Sequence, residues 1–240
     1  MKKLNSILLF ACLAAYSVPS WACTLNMGLN LKYGSNTSIV SLVYNNHTYN
    51  NVYAGALSAT LTPTSALPKG YPSSFDTYCV DLNDDITVPT SYCVTMQPIS
   101  GLANGGGMAW LYDQYVNNLM GSVQPSANPK YDQSAGLQIA IWKVLADGES
   151  TNLSSGNFQY LKTDQIASDA NFYLTQWANS NYQTADATWL VGGTYNNATN
   201  HAQNMIGPPV PEPSVFALMG ACMIGLTTFG WSLKKKRIES

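Results

Sequence analysis

Residues 134–147, with the sequence SAGLQIAIWKVLAD, decide how this chain packs. Their apolar residues recur at three- and four-residue spacing, which predicts a helix that begins after an N-cap at Ser134. At about 100° per residue, the apolar stripe is centred on Gln138, while Lys143 and Asp147 fall on the opposite side. Burying a carboxamide without partners costs about 1–3 kcal/mol. Gln138 is therefore either satisfied by neighbouring backbone groups or is no longer an amide in the mature protein.

Strand patterns precede this helix, and further helical patterns lie on both sides of it. Residues 24–98 hold short runs rich in β-branched and aromatic residues, which predict antiparallel strands. A glycine run at 105–107 predicts a flexible break, and helical spacing predicts helices over 108–119 and 163–178. Residues 189–191 predict a closing strand. The fold class expected is α+β, with an N-terminal antiparallel β-sheet or sandwich packed with about three helices.

Both ends of the chain carry the pattern of an export signal. Residues 1–22 join two lysines to an apolar run and small residues before a cleavage site, which predicts a secretory signal peptide. Residues 215–233 carry no charge and are long enough for a transmembrane helix, and the basic tail 234–240 is expected to stay in the cytoplasm. Between them we expect an exported domain over 23–207 and a Pro-rich linker over 208–214.

The exported part carries little charge. Asp, Glu, Lys and Arg make up 10% of the chain, against about 25% in ordinary soluble domains. Residues 23–210 contain five lysines, no arginine and eleven acidic residues, which gives a net charge of −6. A phosphate backbone requires a basic face, so this composition excludes nucleic acid as a partner.

The cysteines leave an odd number of thiols in the exported domain. Of the five in the chain, Cys12 and Cys222 lie in the end segments, and Cys23, Cys79 and Cys93 remain. In an oxidising compartment one pair of these three can form a disulfide. A Cys23–Cys93 disulfide leaves the Cys79 sulfur for other chemistry, whereas a Cys79–Cys93 disulfide across neighbouring strands makes Gln138 merely structural.

Two short motifs resemble those of the bacterial surface thioester domains. One is YCVD at residues 78–81, on a predicted strand, and the other is LQIAIW at residues 137–142, on the helix. The resemblance implies an internal thioester between the sulfur of Cys79 and the side-chain acyl carbon of Gln138. The residues implied around this bond are Tyr78, Asp81, Ile141 and Trp142.

The implied thioester predicts a covalent adhesin without catalytic turnover. Attack of a thiolate on the glutamine amide releases ammonia, and the resulting acyl-thioester then reacts with an amine or hydroxyl of a partner. The partner expected is a nucleophile on a surface protein or polysaccharide, and no cofactor is required. Aromatic neighbours such as Tyr78 and Trp142 limit hydrolysis by excluding water.

Other sites fit the residues less well. The acidic run 81–85 begins like a calcium loop, but Ile86 and Tyr92 stand where an EF-hand needs Gly and Glu. The three exported cysteines and the two histidines make no zinc motif, so no metal site is expected. A non-covalent structural or glycan-binding matrix protein is the first alternative. A secreted cysteine hydrolase that pairs Cys79 with His201 is the second.

The C-terminal region resembles the PEP-CTERM sorting signal. Pro211, Glu212 and Pro213 are followed by the apolar span and the basic cluster, in the order of that signal. The resemblance implies recognition by an exosortase at the inner membrane of a Gram-negative bacterium and cleavage near the triplet. It also implies transfer to the cell surface or the extracellular space, and association with a biofilm matrix. A plain single-pass anchor has the same hydropathy but does not require the Pro-Glu-Pro triplet.

Overall fold

The computed structural model describes five stretches of the chain, residues 27–62, 67–84, 88–119, 129–193 and 202–211. The predicted signal peptide 1–22 and the predicted membrane segment and tail 215–240 lie outside them, as do Cys23, His201, Glu212 and Pro213. Among the helices in these stretches, none is both long enough and apolar enough to cross a membrane.

Seven strands and three α-helices make up these stretches. The strands are β1 Met27–Tyr44, β2 His47–Thr62, β3 Ser74–Cys79, β4 Thr90–Pro98, β5 Phe158–Gln159, β6 Thr188–Gly192 and β7 Met205–Gly207. The helices are α1 Gly105–Tyr115, α2 Pro129–Asp147 and α3 Gln165–Asn179. The α+β class with three helices is therefore confirmed for the part of the chain that the structure describes.

The sheet closes on itself. Its strand order is β2-β3-β7-β6-β4-β1-β5, every pairing is antiparallel, and an additional β1–β2 pairing closes the first six strands of this order, while β5 lies beyond β1. The long β1–β2 hairpin turns at Asn45 and Asn46, whose φ values of 49° and 65° suit the tight turn of a two-residue loop. The expected antiparallel sheet is confirmed, and six of its strands form a closed ring rather than a sandwich.

The boundaries of two helices differ from the sequence-based prediction. Helix α2 begins at Pro129, a residue type that favours the first turn of a helix. Ser134 is therefore a buried residue inside α2, and the prediction that it is an N-cap was wrong. Residues 105–107 are not a flexible break but the first turn of α1. At Gly107 an added Cβ would collide with the Trp177 ring of α3, so the glycines allow close packing.

Helix α2 lies in the centre of the molecule. It packs against β1 and β2 and against α1 and α3. Gln138 is buried on this helix as predicted. The opposite side of α2 is buried as well, because Lys143 is 0% exposed and its ammonium donates to Asp147 Oδ2 at 2.7 Å and to the carbonyl oxygen of Phe158 at 3.1 Å. The segment that ends in β5 covers this side of the helix.

Candidate functional site

Helix α2 is joined to strand β3 at two points, one helical turn apart. Ser134 Oγ lies 3.2 Å from the hydroxyl of Tyr78, and it also accepts a hydrogen bond from the backbone N–H of Ala56 at 2.8 Å. One turn further along α2, Gln138 meets Cys79, the last residue of β3. Residues at i and i+4 share one face of a helix, and here that face lies along the end of the strand.

The Gln138 carboxamide pairs with the backbone of Cys79 in both directions. Its Oε1 accepts a hydrogen bond from the Cys79 N–H at 2.9 Å, and its Nε2 donates to the Cys79 carbonyl oxygen at 2.8 Å. A neighbouring strand would make the same pair of bonds, but β2 pairs with β3 only as far as Thr77. The two bonds satisfy an amide that is only 1% exposed.

The sulfur of Cys79 is held by the residue two positions further along. The thiol donates to the carbonyl oxygen of Asp81 at 2.9 Å, and the Asp81 N–H lies 3.4 Å from Sγ. Cys79 is 5% exposed. Because the carboxamide of Gln138 is bound to the backbone of the same cysteine, the thiol and the amide carbon lie within one small buried region.

The side chain of Asp81 fixes this turn. Its Oδ1 accepts the N–H groups of Asn83 at 2.9 Å and Asp84 at 3.3 Å. Its Oδ2 accepts a hydrogen bond from the Asn204 amide at 2.7 Å. The acidic run that begins at Asp81 thus forms a hydrogen-bonded turn around a buried carboxylate. In the described stretches no group of three or more His, Cys, Asp or Glu side chains could hold a metal ion.

Sequence reasoning missed three residues of this region, Tyr92, Gln203 and Asn204. The hydroxyl of Tyr92 donates to the carbonyl oxygen of Gln203 at 2.8 Å. Burial raises the pKa of Tyr92 well above its usual range, and electrostatic interactions with Cys79 and Asp81 raise it further. This tyrosine is therefore a neutral neighbour of the thiol. No motif identifies these residues, because Gln203 and Asn204 lie more than 120 positions after Cys79 and Tyr92 reaches the site through its bond to Gln203.

The other residues that the resemblance placed around the site are all buried. Tyr78 lies beside Cys79 on β3, and its ring meets Tyr112 edge to face at 6.4 Å. Burial raises the pKa of the Tyr78 hydroxyl far above its usual range. Ile141 and Trp142 lie on α2 about one turn beyond Gln138. The ring of Trp142 packs against Phe158 at 6.1 Å, on the β5 side of the helix.

The cysteine pairing across β3 and β4 is excluded. Cys79 is buried and Cys93 is exposed, and no disulfide joins the two in the described part of the chain. Two strands, β7 and β6, lie between β3 and β4 in the sheet, so the proposed pairing of neighbouring strands was wrong. A Cys23–Cys93 disulfide stays a prediction because Cys23 lies outside the described residues. The Cys79–His201 pair of a hydrolase stays a prediction for the same reason.

Comparison with known proteins identifies the C-terminal signal. The PEP-CTERM protein-sorting motif matches residues 209–236, which include Pro211, Glu212 and Pro213. No curated protein and no solved structure matches the chain. The motif marks the chain as an exosortase substrate that passes through the membrane and is sorted to the cell surface. The matched residues lie outside the region around Cys79 and Gln138.

Proposed function

We propose that this surface-sorted exosortase substrate is a covalent adhesin, which uses an internal thioester between Cys79 and Gln138 to acylate a nucleophile on a surface protein or polysaccharide. The observation that carries the proposal is the double hydrogen bond between the Gln138 carboxamide and the Cys79 backbone. Through these bonds the carboxamide contacts the backbone of the residue that carries the thiol, although 59 positions separate the two residues in the chain.

The first reaction joins the two side chains. The Cys79 sulfur attacks the amide carbon of Gln138, a C–S bond forms, the C–N bond breaks, and the thiol proton leaves with the nitrogen as ammonia. Oxygen Oε1 remains on the acyl carbon. The Cys79 N–H already donates to this oxygen at 2.9 Å, so it is placed to stabilise the negative charge that develops there.

The second reaction transfers the acyl group to the partner. An amine or hydroxyl attacks the thioester carbon, the C–S bond breaks, and the sulfur takes up a proton to become a thiol again. The acyl carbon of Gln138 is then bound to the partner through an amide or ester bond. Because the ammonia is not restored, each molecule reacts once, and the protein acts without turnover.

The burial of the site suits a reactive bond. Water competes with the intended nucleophile for a thioester, and excluding water protects such a bond. Cys79 is 5% exposed and Gln138 is 1% exposed, which keeps bulk water from both groups. The same burial means that a partner must displace part of the surrounding structure before it reaches the acyl carbon.

A non-covalent, glycan-binding role is a second candidate, and an exposed aromatic pair favours it. Tyr33 and Tyr53 are 43% and 52% exposed on the β1–β2 hairpin, with ring centroids 4.9 Å apart. No charged residue occurs over 33–68. Tyrosine rings among uncharged polar groups offer stacking and hydrogen bonding to neutral sugars. In this role the Gln138–Cys79 hydrogen bonds would only hold α2 on β3.

Intact mass of the exported protein separates the two candidates. With a thioester, the protein is lighter than its sequence by one ammonia, and methylamine replaces the thioester with a methylamide and adds its own mass. Cys79→Ala and Gln138→Ala abolish both effects, whereas the matched control Cys93→Ser retains them. Full mass, together with a Cys79 thiol that can be alkylated in the unfolded protein, would exclude covalent adhesion.

A further inference from the structure

The segment just before the sorting motif forms one wall around the Cys79 thiol. Strand β7 pairs with the end of β3, with Met205 opposite Cys79. Immediately before β7, the carbonyl oxygen of Asn204 accepts the N–H of Val80 at 3.0 Å. The Gln203 amide lies 3.4 Å from the carbonyl oxygen of Asp81, which is also the acceptor of the Cys79 thiol.

Asn204 has the central place in this segment because both ends of its side-chain amide are bound. Its Nδ2 donates to Asp81 Oδ2 at 2.7 Å, and its Oδ1 accepts the N–H of Gly192 at 2.9 Å. The side chain thus ties the Cys79–Asp81 turn to β6. A hydrogen bond from an amide to a carboxylate is among the stronger ones in proteins.

We propose that Asn204 is a positioning residue for thioester formation, acting on Cys79 through Asp81. This inference rests on the proposed thioester. By fixing the Asp81 carboxylate, Asn204 also fixes the two Asp81 peptide groups that hold the sulfur. The Asp81 carbonyl oxygen accepts the thiol proton, and the Asp81 N–H donates to Sγ. In the proposed reaction the sulfur is thereby held for attack on the Gln138 amide carbon, and its proton departs with the ammonia.

The position of Asn204 in the chain gives this role a consequence for the order of events. The Cys79–Asp81 turn is complete only when the chain is folded as far as β7. This strand ends two residues before the matched sorting motif. Pro208, which follows β7, is itself tied down, because its carbonyl oxygen accepts a hydrogen bond from Thr188 Oγ1 at 2.6 Å. Cleavage near the Pro-Glu-Pro triplet would therefore leave Asn204 in place.

A reciprocal exchange of the two side chains tests the proposal. Asn204→Asp keeps an oxygen that accepts the Gly192 N–H, but it places a carboxylate opposite the Asp81 carboxylate. Asp81→Asn places an amide N–H donor opposite the amide N–H donor of Asn204. The double variant restores a single amide–carboxylate bond with donor and acceptor exchanged. We expect thioester occupancy, measured by intact mass of the exported protein, to fall at least about tenfold in each single variant and to recover in the double variant.

A second readout follows the thiol itself in variants that cannot form the thioester. In a Gln138→Ala background, the rate of alkylation at Cys79 is measured against pH by peptide mapping. Asn204→Asp is expected to move the midpoint of this profile to higher pH, because it sets a second carboxylate beside the turn that holds the sulfur, and the double exchange, which has the wild-type charge, is expected to return it. The matched control Asn152→Ala, in an exposed loop, leaves occupancy and profile unchanged.

The outcomes distinguish this inference from the proposed function. Single variants that fold and keep full occupancy would overturn the role of Asn204, and so would a folded double variant that does not recover. A wild-type protein without a thioester would overturn the proposed function. In that case the alkylation profile alone decides whether Asn204 positions the thiol.

Discussion

Opening the thioester with methylamine should destabilise the protein without changing any residue of its sequence. The thioester would be a cross-link between β3 and α2 that closes a loop of 59 positions. Methylamine cuts this link and leaves a methylamide on Gln138. That group keeps the carbonyl oxygen Oε1, so the hydrogen bond from the Cys79 N–H can persist, and the bond made by Nε2 is already absent from the thioester. The change in stability therefore reports mainly on the loss of the cross-link.

The magnitude follows from the length of the loop. A cross-link that closes a loop of about 60 residues lowers the entropy of the unfolded chain by the equivalent of ~4 kcal/mol at 25 °C. For a domain of this size, 1 kcal/mol corresponds to about 2–4 °C in Tm, so the expected loss is about 8–16 °C. The distance along the chain, rather than any new contact, sets this value.

The assay combines intact mass with thermal unfolding followed by tryptophan fluorescence. Wild-type protein is divided into untreated and methylamine-treated samples, and mass confirms the conversion before each melt. Gln138→Ala, treated in the same way, is the control for effects of methylamine on the rest of the fold. A fully converted sample that melts at the temperature of the untreated sample would refute the reasoning that a cross-link joins β3 and α2.

Four further predictions concern the packing of α2 and α1. Lys143→Met should cost about 3–5 kcal/mol in urea unfolding, because it leaves the Asp147 carboxylate without its buried partner; an unchanged midpoint would contradict this. Desolvation raises the pKa of Asp147, but hydrogen bonds from Lys143 and from two backbone N–H groups, with the lysine charge, lower it overall. The stabilising effect of the Asp147 carboxylate should therefore be complete above about pH 4 and be lost as the pH falls further through the lowered pKa. In Asp147→Asn, the free energy of unfolding should depend less steeply on pH in this acid range. Gly107→Ala should cost about 1–3 kcal/mol in thermal unfolding, because the added methyl meets the Trp177 ring. Gly101→Ala is the comparison, because its added Cβ would lie 3.8 Å from the Trp189 ring, an ordinary contact. Ser134→Ala should cost about 1–3 kcal/mol in urea unfolding by removing the acceptor of a buried backbone N–H, and Ser168→Ala on α3 is its control.

Local patterns identified the elements and the buried glutamine. The 3.6-residue period marked α2 and α3, and the apolar stripe centred on Gln138 required that residue to be buried, as it is. The closing strand near residue 190 was also found. The starts of α1 and α2 were missed because glycine is a weak helix former and because the first turn of α2 carries few apolar residues. Close packing between helices, rather than local propensity, extends α1 through residues 105–107.

Sequence by itself determined that the chain is exported and sorted, because a sorting signal is a linear pattern of a Pro-Glu-Pro triplet, an apolar span and a basic cluster. It also singled out Cys79 and Gln138 as the candidates for the proposed thioester. Only the tertiary structure decided that the Gln138 carboxamide pairs with the Cys79 backbone, since β3 and α2 touch through packing that no local pattern encodes. The surroundings of the thiol were likewise decided by the closed sheet, which brings Tyr92 of β4 and Asn204 before β7 to the end of β3. Hydrogen bonds between residues more than a hundred positions apart depend on the whole fold, and no short motif records them.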